Sequence, residues 1–90
     1  MSSRSLGYQQ ITSLSTATAL TVPAGTAFAL INAQTQAVRW RDDGTDPTAS
    51  VGYPLAAGSE IQYNSASLSR LKFIEQVASA TLNIVYYSGD

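Results

Sequence analysis

Residues 81–87 read TLNIVYY, and their apolar side chains fall on alternate positions. Leu82, Ile84 and Tyr86 share one side, with Val85 and Tyr87 opposite. A period of two belongs to a β-strand, because successive Cβ atoms leave a pleated chain on opposite faces. The signal recurs along the chain. In AVRWR (37–41), Val38 and Trp40 share one side and Arg39 and Arg41 the other; EIQYN (60–64) puts Ile61 with Tyr63, and TALTV (18–22) puts Leu20 with Val22. AFALINA (27–33) is apolar almost throughout, the pattern of a central strand buried on both faces.

No segment sustains the i, i+3, i+4, i+7 apolar spacing of a capped amphipathic helix. The best helical candidate, SLSRLKFIEQV (67–77), also places Leu71, Phe73, Glu75 and Val77 on a period of two. The reading preferred here is a short turn at 65–69 leading into a strand. PAG, DDGTDPT, PLAAGS and ASA supply turn chemistry between the strands. About seven or eight short strands at a spacing of roughly 8–12 residues predict an all-β fold. We expect a small antiparallel β-sandwich, jelly-roll-like, with an N-terminal arm over residues 1–8 and a single domain over 9–90. The predicted core is Leu20, Val22, Phe28, Leu30, Val38, Trp40, Ile61, Phe73, Leu82 and Ile84.

Composition narrows the chemistry. The 90 residues include no cysteine and no histidine, so disulfides and the usual zinc, copper and iron ligand sets are excluded. A domain this small has a thin stability margin, which points to self-association or docking on a larger partner. Only 12% of residues are charged, and the net charge is −1. So little positive charge makes nucleic acid an unsuitable partner. No apolar run approaches the length of a membrane span. The opening MSSRSLGYQQ lacks the apolar core of a signal peptide, and absent cysteine fits synthesis in a reducing compartment.

Candidate sites concentrate in AVRWRDDGTDPTASVG (37–52), which holds the sole tryptophan, Trp40, two arginines and three aspartates. DDGTDPTASVGY has glycine third and tyrosine twelfth, whereas an EF-hand calcium loop needs glycine sixth and glutamate twelfth. An irregular calcium site from Asp42, Asp43 and Asp46 is the alternative to a simpler reading, in which Asp43-Gly44 and Asp46-Pro47 are turn dipeptides. Arg39 and Arg41 can pair with these carboxylates as surface ion pairs. A contact role is the other reading, because Arg and Trp are favoured anchors at interfaces. Arg39, Trp40, Arg41, Asp42, Asp43 and Asp46 are therefore the candidate subunit contacts.

No catalytic constellation is visible. Nucleophilic triads lack their histidine, no serine sits in a nucleophile elbow, and the six glycines are scattered singly rather than grouped as a phosphate loop. The six acidic residues lie mostly in turns, leaving little prospect of a paired-carboxylate cleft. We expect no enzyme activity, no cofactor and no metal. The five tyrosines fit either a sugar platform or, more commonly, core edges and interfaces.

Three stretches together carry a family resemblance: VPAGTAFALI (22–31); the block AVRWRDDGTDPTASVGYPLAAGSEIQY (37–63), abstracted as R-W-R-D-D-G-x-x-P-T-x-x-x-G-x-P-L-x-A-G; and the ending LSRLKFIEQVASATLNIVYY (68–87). Over roughly residues 20–87 the chain resembles the small β-sandwich virion structural proteins of tailed bacteriophages. The resemblance implies a non-enzymatic capsid decoration, or cement, protein, made in the host cytoplasm and carried on the capsid surface. It implies a homo-oligomer, with a trimer favoured, bound to the major capsid protein or other virion proteins. The alternative is a tail, fibre or head–tail connector module that binds a carbohydrate or receptor, which requires an exposed aromatic cluster in one pocket.

Overall fold

The structure, a computed structural model, describes residues 4–64 and 66–89. Among these described residues eight strands follow in order: β1 (Ser5–Ile11), β2 (Thr18–Ala19), β3 (Thr26–Gln34), β4 (Val38–Arg41), β5 (Tyr53–Leu55), β6 (Glu60–Tyr63), β7 (Lys72–Glu75) and β8 (Thr81–Ser88). A single turn of 3-10 helix, Ala66–Arg70, precedes β7. The segment that reads both ways in the sequence is thus a turn followed by a strand.

The strands form two four-stranded sheets, ordered β1-β8-β3-β6 and β2-β7-β4-β5, and every pairing is antiparallel. Four of the pairings are β1 with β8, β2 with β7, β3 with β6 and β4 with β5. They are the rungs of one long hairpin whose halves are β1–β4 and β5–β8. Rolling that ribbon up drops alternate rungs into opposite sheets, and the pairs β3·β8 and β4·β7 then close each sheet. This is the wiring of a jelly-roll sandwich. Both edges of the second sheet are short or blunted: β2 has two residues, and β5 carries Pro54, which an edge strand tolerates because it needs no inward ladder donor there.

The arm is shorter than expected. Ser5–Ile11 is strand β1 and pairs with β8 from Ser5↔Tyr87 to Ile11↔Leu82, so residues 5–8 of the expected 1–8 arm belong to the sandwich. Arg4 is tied in as well, its N–H donating to the Ser88 hydroxyl at 3.0 Å. Residues 1–3 lie outside the described residues.

Inside the sandwich, Ile11, Ala29, Ile31, Ala33, Leu82, Ile84 and Tyr86 from the first sheet meet Val38, Leu55 and Phe73 from the second, while Leu14, Leu20, Leu68, Leu71 and Ala80 contribute from the connections. Val22, Trp40 and Ile61, expected in the core, pack against it half-buried. Two expected core residues prove wrong. Phe28 and Leu30 point outward, and Ala29, Ile31 and Ala33 take the inner face of β3. The register explains why. Ala29 lies opposite Tyr86, Ile31 opposite Ile84, and Ala33 opposite Leu82. The broad tyrosine ring therefore sits beside the smallest inward residue, as close packing demands. β3 is also not buried on both faces within the chain: its pattern alternates, with Phe28, Leu30 and Asn32 only partly covered.

Candidate functional site

Strand β4 carries the most informative stretch of the sequence into the middle of the second sheet, between β5 and β7. Alternation turns Val38 and Trp40 toward the core and leaves Arg39 and Arg41 on the outer face. The chain then leaves the sheet through a loop, residues 42–52, before returning as β5.

Arg39 pins that loop. Its Nε donates to the Ala49 carbonyl at 3.2 Å and its Nη1 to the Gly52 carbonyl at 2.8 Å. Arg41 forms a two-pronged pair with Asp43, Nε to Oδ1 at 3.1 Å and Nη2 to Oδ2 at 2.6 Å. Asp43 also accepts from the Thr45 N–H at 3.3 Å, in keeping with Asp43-Gly44 read as a turn dipeptide. The hydrogen bonds from Arg41, then from Thr45, hold the Asp43 carboxyl down at about 2. Gly44 follows at φ 88°, a left-handed conformation that glycine adopts without steric penalty. Asp46 takes Lys72 Nζ at 2.9 Å, and Asp42 accepts from the Tyr63 hydroxyl.

The six candidate contact residues thus lie together at one end of the second sheet, but their charged groups are engaged within the chain. The three aspartates turn to three different partners, and among the described residues no group of three or more acidic side chains is arranged to hold a metal ion.

The aromatic residues form a cluster. Trp40 lies against Tyr53 with ring centroids 5.2 Å apart and planes tilted by 39°, and meets Tyr63 edge-on at 5.8 Å. Beside them opens a shallow cleft of about 370 Å³, lined by Trp40, Arg41, Asp42, Asp43, Val51, Gly52 and Tyr53. Tyr53 is 65% exposed and Val51 54% exposed at its lip. The Trp40 part of this site was legible in the sequence. Tyr53, Tyr63 and Val51 were not, because the β4–β5 pairing brings Tyr53, the fold of the loop brings Val51, and the packing of β6 from the first sheet against the second brings Tyr63.

A second surface was hidden by the sequence. On the outer face of the first sheet, Tyr8 pairs with Val85, and Val85 with Leu30. Next to this row, Phe28 and Tyr87 stack with centroids 5.0 Å apart and planes 14° from parallel. Further along, Asn83 accepts from the Tyr8 hydroxyl at 2.6 Å and from Gln10 at 3.1 Å, and donates to Asn32 and Gln34. Among the strand positions facing outward here, only Glu60, on edge strand β6, is charged. The opposite sheet presents Arg39, Arg41 and Lys72. The molecule is therefore two-sided: one neutral, aromatic-rich face and one charged face.

Comparison with known proteins finds no matching family model, no matching curated sequence and no matching solved structure.

Proposed function

We propose that the protein is a non-enzymatic structural component of a tailed-bacteriophage virion, a capsid decoration protein that binds and braces the major capsid shell. The observation that carries this reading is the partly exposed apolar face of the first sheet. A solvated sheet face normally reads as polar at every second position. β3 instead has Phe28 and Leu30 at those positions, and β8 has Val85 and Tyr87. Low charge and added aromatics are the marks of an interface centre, so a neighbouring virion subunit is the natural cover.

Size decides how such a contact works. Four strands at about 4.8 Å spacing and eight residues at about 3.3 Å rise make a face of roughly 500 Å². A stable pairwise interface takes about 800 Å² from each partner. One face alone therefore holds weakly. Repeated copies on a shell, or an oligomer such as a trimer presenting several faces at once, gain strength by avidity. The sequence resemblance to phage β-sandwich virion proteins supports the same reading, and so does the jelly-roll fold.

The test combines sedimentation of the purified protein with co-sedimentation on assembled capsid shells. We expect shell binding that Val85→Glu abolishes with circular dichroism unchanged, while Asp46→Asn has no effect. Failure of the native protein both to self-associate and to bind shells would refute the proposal.

A further inference from the structure

We infer that the cleft beside Trp40 is a binding subsite for a neutral pyranose sugar. The inference is independent of the shell reading and holds wherever in a virion the protein sits. It starts from the cleft's size. At about 370 Å³ it lies at the small end of the range of roughly 300–1,000 Å³ for small-molecule sites, and it is shallow, as suits one ring lying on a surface.

Its chemistry points the same way. Tyr53 and Trp40 supply aromatic rings and Val51 an apolar lip, a surface suited to the C–H face of a sugar. The polar members sit at the side: Asp42, Asp43 and Arg41. Arg41 and Asp43 already satisfy each other's charge through two hydrogen bonds. A charged ligand would have to compete with that pair. A neutral polyol does not, because each carboxylate has about four acceptor sites and hydroxyl groups can add to those left over. Arg41 Nη1, which makes none of the bonds of the Asp43 pair, adds donor capacity on the same wall. Ring stacking with hydroxyls shared among fixed carboxylate and guanidinium groups is the chemistry of carbohydrate recognition. It also sets one exposed ring, Tyr53, beside the half-buried Trp40, the kind of aromatic surface that the receptor-binding alternative requires.

The protein contains a single tryptophan, and it lines the cleft, so its fluorescence and its indole N–H resonance report on this site alone. The experiment titrates the full chain with methyl α-glucoside, methyl β-galactoside and methyl N-acetyl-β-glucosaminide, with N-acetyl-arginine amide as the cationic comparison. We expect a saturable change at millimolar concentration with at least one glycoside. Tyr53→Phe keeps the ring and retains binding, whereas Tyr53→Ala weakens it by about tenfold, a loss of about 1.4 kcal/mol. Tyr53 lies on the edge strand β5 and is mostly exposed, so its truncation leaves the fold intact, as circular dichroism will check. Val85→Glu, on the far sheet, leaves sugar binding unchanged, which separates this site from the shell-binding face. No saturable response to any glycoside, a response to N-acetyl-arginine amide alone, or equal binding by Tyr53→Ala and the native chain overturns the inference.

Discussion

Truncating two adjacent residues of β3 tests the register on which the proposed shell-binding face depends. Ile31 is fully buried between its partners Ile84 and Ile61. Leu30, one residue earlier, lies on the outer face between Val85 and Gln62. Ile31→Ala removes buried methyl groups and leaves a cavity, a change that costs about 2–5 kcal/mol. A domain of 90 residues at about 0.05–0.15 kcal/mol per residue has only about 5–13 kcal/mol in total. The variant should therefore lose a large part of its stability. At about 4–8 °C per kcal/mol for a domain of this size, a loss of about 3 kcal/mol lowers Tm by about 12–24 °C. Leu30→Ala removes a side chain that the sheet only half covers, and costs under about 1 kcal/mol when the protein is monomeric. Urea unfolding followed by Trp40 fluorescence, at concentrations where the chain sediments as a monomer, gives both values. Shifting a strand by one residue exchanges its faces. Equal losses, or a larger loss for Leu30→Ala, would show the register to be wrong and would remove the apolar outer face with it. At higher concentration the penalty of Leu30→Ala should grow if that face is buried between copies, and stay constant if it is not.

Further outcomes follow from the loop and from the ionisable groups. Gly44→Ala forces a side chain into φ 88° and sets its Cβ about 2.8 Å from Arg70 Nη2; we expect a loss of about 1 kcal/mol in urea unfolding, mostly from the backbone, since the arginine tip can swing away. Because the Asp43 carboxyl is lowered from 3.8 to about 2, its favourable pairing is complete above pH 3.8 and disappears as pH falls through 2; carbon-13 titration of the carboxyl should show this midpoint, and Arg41→Gln should raise it. Tyr86, 1% exposed and donating to Gln9 Oε1 at 2.5 Å, has its phenol pushed by burial from 10 up to about 12. Its neutral form is the one the fold holds, so its contribution is full below pH 10 and fades as pH rises through 12. Ultraviolet difference absorbance should show Tyr86 ionising at this high pH, and Tyr86→Phe should remove that step.

How much was legible in the residues differs from strand to strand. β4 and β6 alternate apolar with polar positions, so their existence and their inward faces could both be read from the residues; β8 could be read as a strand with Leu82 and Ile84 inward, although Val85 and Tyr87 make part of its outer face apolar too. β3 could be recognised as a strand but not oriented, because a run without polar residues carries no phase. β1 went unread: SLGYQQI has too few apolar residues to announce a strand, and its place is set by β8, to which it pairs along its length. β5, with three residues and a proline, is likewise a strand only because β4 offers it a ladder.

The sequence by itself determined the class of the protein. Short alternating strands separated by turn residues pointed to a small antiparallel sandwich or barrel, and the absence of thiol and imidazole excluded the usual ligand sets of the common transition metals. What only the tertiary structure decided was which side of each sheet meets which neighbour. That choice depends on residues far apart in the chain: Tyr86 against Ala29 fixed the inner face of β3 and turned Phe28 and Leu30 outward, and the pairing of β4 with β5 brought Tyr53 to Trp40. Local periodicity records whether a strand forms, whereas side-chain volume across a ladder, a long-range quantity, settles which of its faces is buried.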